Sequence, residues 1–182
     1  MTNKQRKFQH TQKHLVQNLT SNLFDIIGQQ DSNRKVVATS EIKKGKIIYD
    51  IEPYSHTQSQ NFLSVQISSE EHILDTLLEA MNHSCSPTTF VDCNQMLVIA
   101  EQDILPGEEL TFFYPSTEWK MDRPFSCHCG SLNCLGFVSG AKDLSISQLL
   151  KCQINTHIKT LIQNSFKSDY VKSRFKKQYV SR

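Results

Sequence analysis

The sequence predicts a mainly β fold of several small sheets, followed by a cysteine-rich loop and a helical, basic C-terminal extension. Three observations predict it. Between residues 35 and 114 the apolar runs are short and rich in Val, Ile, Phe and Tyr, and turn clusters separate them at irregular spacing. Long helical patterns do not alternate with these runs, which argues against a doubly wound sheet. Cys127, Cys129 and Cys134 then crowd one Gly-containing loop, and beyond residue 143 the apolar spacing turns helical.

In chain order, residues 1 to about 33 are polar, with a partial helical stripe through Leu15, Leu19, Leu23, Phe24, Ile26 and Ile27 that decays into a short strand. Asp31-Ser32-Asn33 reads as a turn and Lys35 to Thr39 as a strand. After the turn Glu41 to Gly45, the β-branched run Lys46 to Asp50 forms a second strand, and Phe62 to Ile67 alternates as a half-buried third. From Ser69 the period changes, because Ile73, Leu74, Leu77, Leu78 and Met81 are spaced as one helical face. Thr89–Asp92 and Met96–Ala100 predict a hairpin around Cys93-Asn94-Gln95. Pro106-Gly107 turns the chain into a strand from Leu110 to Tyr114. Leu144, Ile146, Leu149, Leu150, Ile154, Ile158, Leu161 and Ile162 return to helical spacing.

A chain of 182 residues fits one domain with extensions and buries a core without disulfide staples. Apolar content of 38% predicts a packed middle and polar ends. A net charge of +2 argues against wholesale nucleic-acid binding, although basic residues gather at both ends. The first residues lack the apolar stretch of a secretory signal and no run is long enough to span a membrane, so the expectation is an intracellular protein.

Chemistry concentrates at Asn82-His83-Ser84-Cys85-Ser86-Pro87. Six cysteines in a reducing compartment point to metal rather than disulfides. The three clustered thiols suit tetrahedral zinc with one ligand to be supplied from elsewhere. Cys85, Cys93, Cys152 and His128 are the candidates; Cys93 and Cys152 read better as buried small hydrophobes, and His128 as pointing away.

These pieces, together with Gly107 to Tyr114 and the run Pro124 to Cys134, resemble the SET-domain family of lysine methyltransferases with its post-SET cysteine motif. The resemblance covers roughly residues 33 to 140. It implies several small β-sheets with a pseudoknot-like motif, and it divides the chain into an extension (1–32), a SET domain (33–118), a post-SET zinc-binding segment (119–140) and a helical extension (141–182). It implies S-adenosylmethionine as cofactor, held by Asn82 and His83 and covered by Phe125; Arg34 and Lys35 stand where the family has Gly-x-Gly and are expected to bind the cofactor too, through their backbone N–H groups and, by their charge, its carboxylate. It implies Tyr114 as the catalytic tyrosine, Phe112 beside it in a substrate channel, and structural zinc on Cys85, Cys127, Cys129 and Cys134.

The chain departs from the family pattern at Asn33-Arg34-Lys35, at Ile51-Glu52-Pro53-Tyr54 where a channel tyrosine is usual, at Thr88 and at Phe113. The expected activity is methyl transfer to the amine of a lysine-bearing protein, in the cytoplasm or, in a eukaryote, the nucleus. The alternatives are a zinc-stabilised binding module that has lost catalysis, or a methyltransferase for a small-molecule amine.

Overall fold

The computed structural model describes residues 23–29 and 32–179. The part of the N-terminal stripe before Leu23 and the basic residues near the start lie outside them. Twelve short strands are described: β1 Phe24–Gln29, β2 Ser32–Ala38, β3 Ile47–Asp50, β4 Ser55–Thr57, β5 Val65–Gln66, β6 His72–Leu74, β7 Asn82–His83, β8 Thr89–Asp92, β9 Leu97–Ala100, β10 Thr111–Phe112, β11 Phe125–Ser126 and β12 Phe137–Val138. Helices α1 (Ile146–Leu149) and α2 (Thr156–Tyr179) close the chain. The strands form three two-stranded sheets and two three-stranded ones, ordered β3-β9-β8 and β4-β6-β5. The expected small-sheet architecture is therefore present. Among the described residues no helix is long and apolar enough to cross a membrane.

The β8–β9 hairpin forms where the sequence places it, pairing Thr89 with Ala100 and Asp92 with Leu97. Its turn is set by Asp92, whose Oδ1 accepts the N–H groups of Asn94 and Gln95 at 2.9 and 3.0 Å. The helix expected from Ser69 to Met81 does not form. His72–Leu74 is instead the central strand of a sheet, and Leu78–Ala80 makes one 3-10 turn. The cause is Asp75, buried at 1% exposure, whose Oδ1 accepts the N–H groups of Leu77 and Leu78 and so ends the strand in a local turn. Ile73, Leu77, Leu78 and Met81 are all buried nonetheless, so their spacing records burial and not a helical face. The run Phe62 to Ile67 pairs only over Val65–Gln66, because the Asn61 side chain captures the N–H groups of Leu63 and Ser64 in a turn first. The strand expected to reach Tyr114 stops at Phe112, where Tyr114–Ser116 coils into a 3-10 turn.

Three apolar clusters make the core. The largest runs from Val36 and Ile42 through Ile73 and Val98 to Phe112. A second packs Phe113, Ala141, Leu149, Ile154 and Ile158, and a third, smaller, packs Cys85, Cys127 and Val138. Successive residues Phe112, Phe113 and Tyr114 thus enter different clusters, with Tyr114 resting against the first and third. This explains Phe113: where the resembled family carries an acidic residue, this chain buries a ring at 3% exposure under the C-terminal helices.

Candidate active site and cysteine centre

The site forms where β7 and β10 meet as a two-residue parallel pair, with Asn82 beside Thr111 and His83 beside Phe112. So short a ladder needs side-chain support. Thr88 supplies it, donating its hydroxyl to the Glu109 carbonyl at 2.9 Å and accepting the Thr111 N–H at 2.8 Å. One hydroxyl both donates and accepts here, which is how threonine serves at a position where asparagine was expected. The Asn82 amide donates to the Arg34 carbonyl (3.1 Å) and to Glu109 Oε1 (2.7 Å), tying β2 and the segment just before β10 to the motif.

His83 Nδ1 accepts the backbone N–H of Tyr114 at 3.2 Å, so in the neutral ring the proton sits on Nε2, which lies 3.2 Å from Cys85 Sγ and donates to it. Burial with no compensating anion pulls the His83 pKa down to about 4. Both ring nitrogens are therefore engaged within the protein. What His83 offers a ligand is its ring edge, packed 5.8 Å from Phe125 and 5.2 Å from Tyr114 between centroids.

Two cavities flank Tyr114. The larger, about 350 Å³, is lined by Asn82, His83, Tyr114, Arg123 and Phe125 and lies in the size range of small-ligand clefts. The smaller, about 50 Å³, is lined on one side by Phe112, Tyr114 and Glu118 and on the other by the loop Gln60 to Val65. Phe62, Tyr114 and Met121 border both, so Tyr114 stands in the partition. Its hydroxyl donates to the Met81 carbonyl at 2.9 Å, and burial, reinforced by the charges of Glu118 and Glu109, raises its pKa and keeps it a phenol. The Phe112 ring lies 4.7 Å from it.

Cys85, Cys127, Cys129 and Cys134 bring their sulfurs within 4.8 Å of one another. A tetrahedral zinc with Zn–S bonds of about 2.3 Å requires sulfurs roughly 3.8 Å apart, and Cys85 Sγ lies 3.9 Å from Cys127 Sγ. Burial raises the Cys85 and Cys127 pKa values, so a cation is what would let these thiols ionise together. The set fits zinc. His128 is exposed and outside it. Cys93 is buried and donates toward the Gln66 carbonyl, while Cys152 lies against the Cys85 carbonyl.

The residues singled out from sequence divide cleanly. Asn82, His83, Phe112, Tyr114, Phe125 and the four cysteines converge. Arg34 and Lys35 do not line the larger cavity. The Arg34 guanidinium turns instead to the Thr76 carbonyl and to Glu79 (3.7 Å), and Lys35 is exposed on β2. Arg123 is the cation at that cavity, stacked 3.9 Å over the Phe62 ring. Tyr49 and Tyr54 line neither cavity; they bond to Asp75 and Glu79.

Two residues escaped the sequence reading. Asn155, 2% exposed, accepts the Cys93 N–H and donates to the Val91 and Ser116 carbonyls, clamping the start of α2 to the hairpin and to the turn after Tyr114. Glu118, 5% exposed, accepts from the Gln66 N–H (2.7 Å) and from Gln60 Nε2 (3.0 Å). Its one signal in the sequence is an acidic residue four positions after Tyr114, at the end of the uncharged run Leu110 to Thr117.

Comparison with known proteins agrees with this architecture. Residues 33–115 match the SET domain family model. The chain is 40% identical over 111 residues to methyltransferase flvH of Aspergillus flavus, covering 60% of this chain and 58% of that protein. It is 33% identical over 109 residues (54% of this chain, 11% of the relative) to an H3 lysine-36 specific histone-lysine N-methyltransferase of Aspergillus oryzae. For the Saccharomyces cerevisiae protein of that description the figures are 29% over 123 residues, 59% and 17%. The chain thus spans somewhat over half of the first relative and less than a fifth of the other two. Among solved structures, KRYPTONITE in complex with mCHG DNA and SAH superposes with a TM-score of 0.51 at 21% identity, over 63% of this chain and 28% of that one. The match of residues 33–115 to the SET domain model and this superposition together show that the chain carries the SET fold.

Proposed function

We propose that this protein transfers methyl groups from S-adenosylmethionine to the side-chain amine of a lysine in a protein. The observation that carries the proposal is the position of Tyr114, whose phenol stands between a cleft of about 350 Å³ and a narrower cavity of about 50 Å³. That is the arrangement a transfer between two separately bound partners needs, since donor and acceptor must meet in line where their two sites adjoin. The similarity to histone-lysine methyltransferases supports lysine as the acceptor.

In this reading the larger cleft holds the cofactor, which supplies an electrophilic methyl on a cationic sulfonium. Asn82 and the ring edges of His83 and Phe125 line its place, and Arg123 is assigned to the cofactor carboxylate in preference to Arg34 and Lys35. Tyr114 and the Met81 carbonyl it bonds to orient the acceptor nitrogen. Phe112, 3% exposed, narrows the amine side and strips water from it, which favours the neutral amine over the ammonium. Cys85, Cys127, Cys129 and Cys134 hold structural zinc, with all four positions filled by protein and none open to water. The His83 Nε2–H bond to Cys85 Sγ then joins the metal site to the cleft.

A small-molecule amine is the second reading, favoured by one observation: among the described residues Glu79, Glu118 and Asp122 line the narrow cavity and no basic side chain does, which suits any cationic amine. Calorimetry with S-adenosylmethionine tests what the two readings share. Saturable binding at micromolar to millimolar cofactor supports them, and no heat at millimolar cofactor removes both. Offering lysine-containing peptides and free amines to the loaded protein then separates them.

A further inference from the structure

A lysine or alkyl amine enters as an ammonium, with a reference pKa of about 10.4, and has no lone pair to attack a methyl until it loses a proton. Tyr114 is a poor recipient, because its hydroxyl already carries a proton, donates it to the Met81 carbonyl, and ionises only above its ordinary range. The narrow cavity holds another group. Glu118 follows Tyr114 by four residues, and its backbone N–H bonds the Tyr114 carbonyl at 2.9 Å, so one turn carries both side chains to the same wall.

The Glu118 carboxylate is 5% exposed and is held by three donors. Oε1 takes the Gln66 N–H at 2.7 Å and the Thr117 hydroxyl at 3.4 Å, and Oε2 takes Gln60 Nε2 at 3.0 Å. A carboxylate accepts about four hydrogen bonds, which leaves one site on Oε2. Among the described residues no cation is paired with it: Arg34 pairs with Glu79, Arg123 lies over the Phe62 ring and lines the larger cleft, and no basic side chain lines this cavity. The other carboxylates of the wall are differently placed. Glu79 is bonded by Tyr54 and paired with Arg34, and Asp122 sits 4.0 Å from Arg123.

We propose that Glu118 is the proton acceptor of the amine-side cavity, converting the bound ammonium into the free amine that attacks. The step balances as an N–H bond of the ammonium breaking, its electron pair staying on nitrogen, and the proton joining Oε2 to give a neutral carboxylic acid. The freed pair then forms the N–C bond as the methyl leaves the sulfonium donor and the S–C pair stays on sulfur. The acid returns its proton to water at the cavity mouth after product leaves. Desolvation favours this direction, since it replaces an ammonium and a carboxylate by two neutral groups. Burial, only partly relieved by the three donors, already pushes the Glu118 pKa up to about 7. The gap to the amine reference is then roughly three units, against about six for an ordinary glutamate. The assignment rests on the amine-methylation reading, but its test does not need turnover.

The probe is n-butylamine, an analogue of the lysine side chain, added at pH 8 to protein carrying carbon-13 at glutamate carboxyls, with Glu118→Gln identifying the Glu118 resonance. The resonance is expected to move toward the protonated position as n-butylamine saturates, and to stay ionised with tetramethylammonium, a cation with no proton to give. Glu118→Gln should weaken n-butylamine binding at least tenfold and leave S-adenosylmethionine binding within twofold. A Glu118 carboxyl that stays ionised with n-butylamine, or a Glu118→Gln protein that binds it as wild type does, overturns the proposal. Should Glu118→Gln not fold, Glu118→Asp identifies the resonance and the wild-type titration decides alone. Failure to bind S-adenosylmethionine alongside a normal n-butylamine response would overturn the methyltransferase reading and leave Glu118 as the amine's proton acceptor.

Discussion

Replacing Cys85 by alanine tests how the cysteine centre and the cleft depend on each other. Structural zinc on thiolates contributes about 10 to 16 kcal/mol of apparent binding free energy. Shared over four sulfurs this is roughly 2.5 to 4 kcal/mol per thiolate, or about two to three decades of zinc affinity. The loss goes further, because Cys85 Sγ also accepts the Leu135 N–H at 3.3 Å and the His83 Nε2–H at 3.2 Å. Each donor left unpaired costs about 1 to 3 kcal/mol. The fasteners that remain are few: β11 and β12 pair over two residues, and the buried cluster there contains only Cys85, Cys127 and Val138. Cys85→Ala should therefore release zinc to a chelator at least a hundredfold more readily and expose the loop around Leu132 to proteolysis. It should also weaken S-adenosylmethionine binding, since Phe125 lines the cleft from β11, which leads into that loop. Metal content by mass spectrometry and chelator competition measure the first effect. Cys93→Ala and Cys152→Ala are the controls and should keep their zinc. A wild-type protein that holds no zinc, or a Cys85→Ala protein that holds it as tightly, refutes the reasoning.

Phe112→Tyr adds a hydroxyl to a cavity of about 50 Å³, so it should shift the product toward monomethyl amine where wild type goes further; mass spectrometry of the product distinguishes the two. Asn155→Ala strands a buried N–H and two carbonyls and should destabilise the chain by about 3 kcal/mol in urea unfolding. The Glu118 pKa near 7 has a consequence for stability as well. In the window from about 7 down to about 4.3 the folded chain holds a proton on Glu118 that the unfolded chain does not. The stability of wild type relative to Glu118→Gln should therefore rise as the pH falls from 8 to 4.5, by about 3 kcal/mol. His72 and His157, whose pKa values burial lowers, act in the opposite sense below about 6.5, but they are common to both proteins and cancel in the difference.

The hairpin Thr89–Ala100 is legible in the sequence because its determinants are local: alternating strands and an aspartate that caps its own turn. The convergence of Asn82, His83 and Tyr114 with the cysteine loop is legible from three ordered motifs. β10 is legible as part of the strand expected over Leu110 to Tyr114, whereas β7, β11 and β12 are not, because each is two residues long and exists through a partner distant in sequence. The helix expected over residues 69–81 fails for a related reason. Its apolar spacing fits a strand buried between β4 and β5 followed by an Asp75-capped turn as well as it fits a helical face. Arg34 looked available to a cofactor carboxylate, and only the fold reveals Glu79 and the Thr76 carbonyl beside it. Asn155 and Glu118 are single polar residues whose importance comes from burial, a property no local pattern announces.

The central claim is that Tyr114 separates a methyl donor from an amine acceptor. Its most direct test is methyl transfer from S-adenosylmethionine to a lysine-containing peptide, with cofactor affinity measured on the same preparations of wild type and Tyr114→Phe. The account predicts transfer by wild type, a loss of roughly a hundredfold or more in turnover for Tyr114→Phe, and cofactor affinity unchanged within about threefold, since the variant keeps the ring that lines both cavities. Equal turnover in the two proteins would contradict it and remove Tyr114 from the reaction.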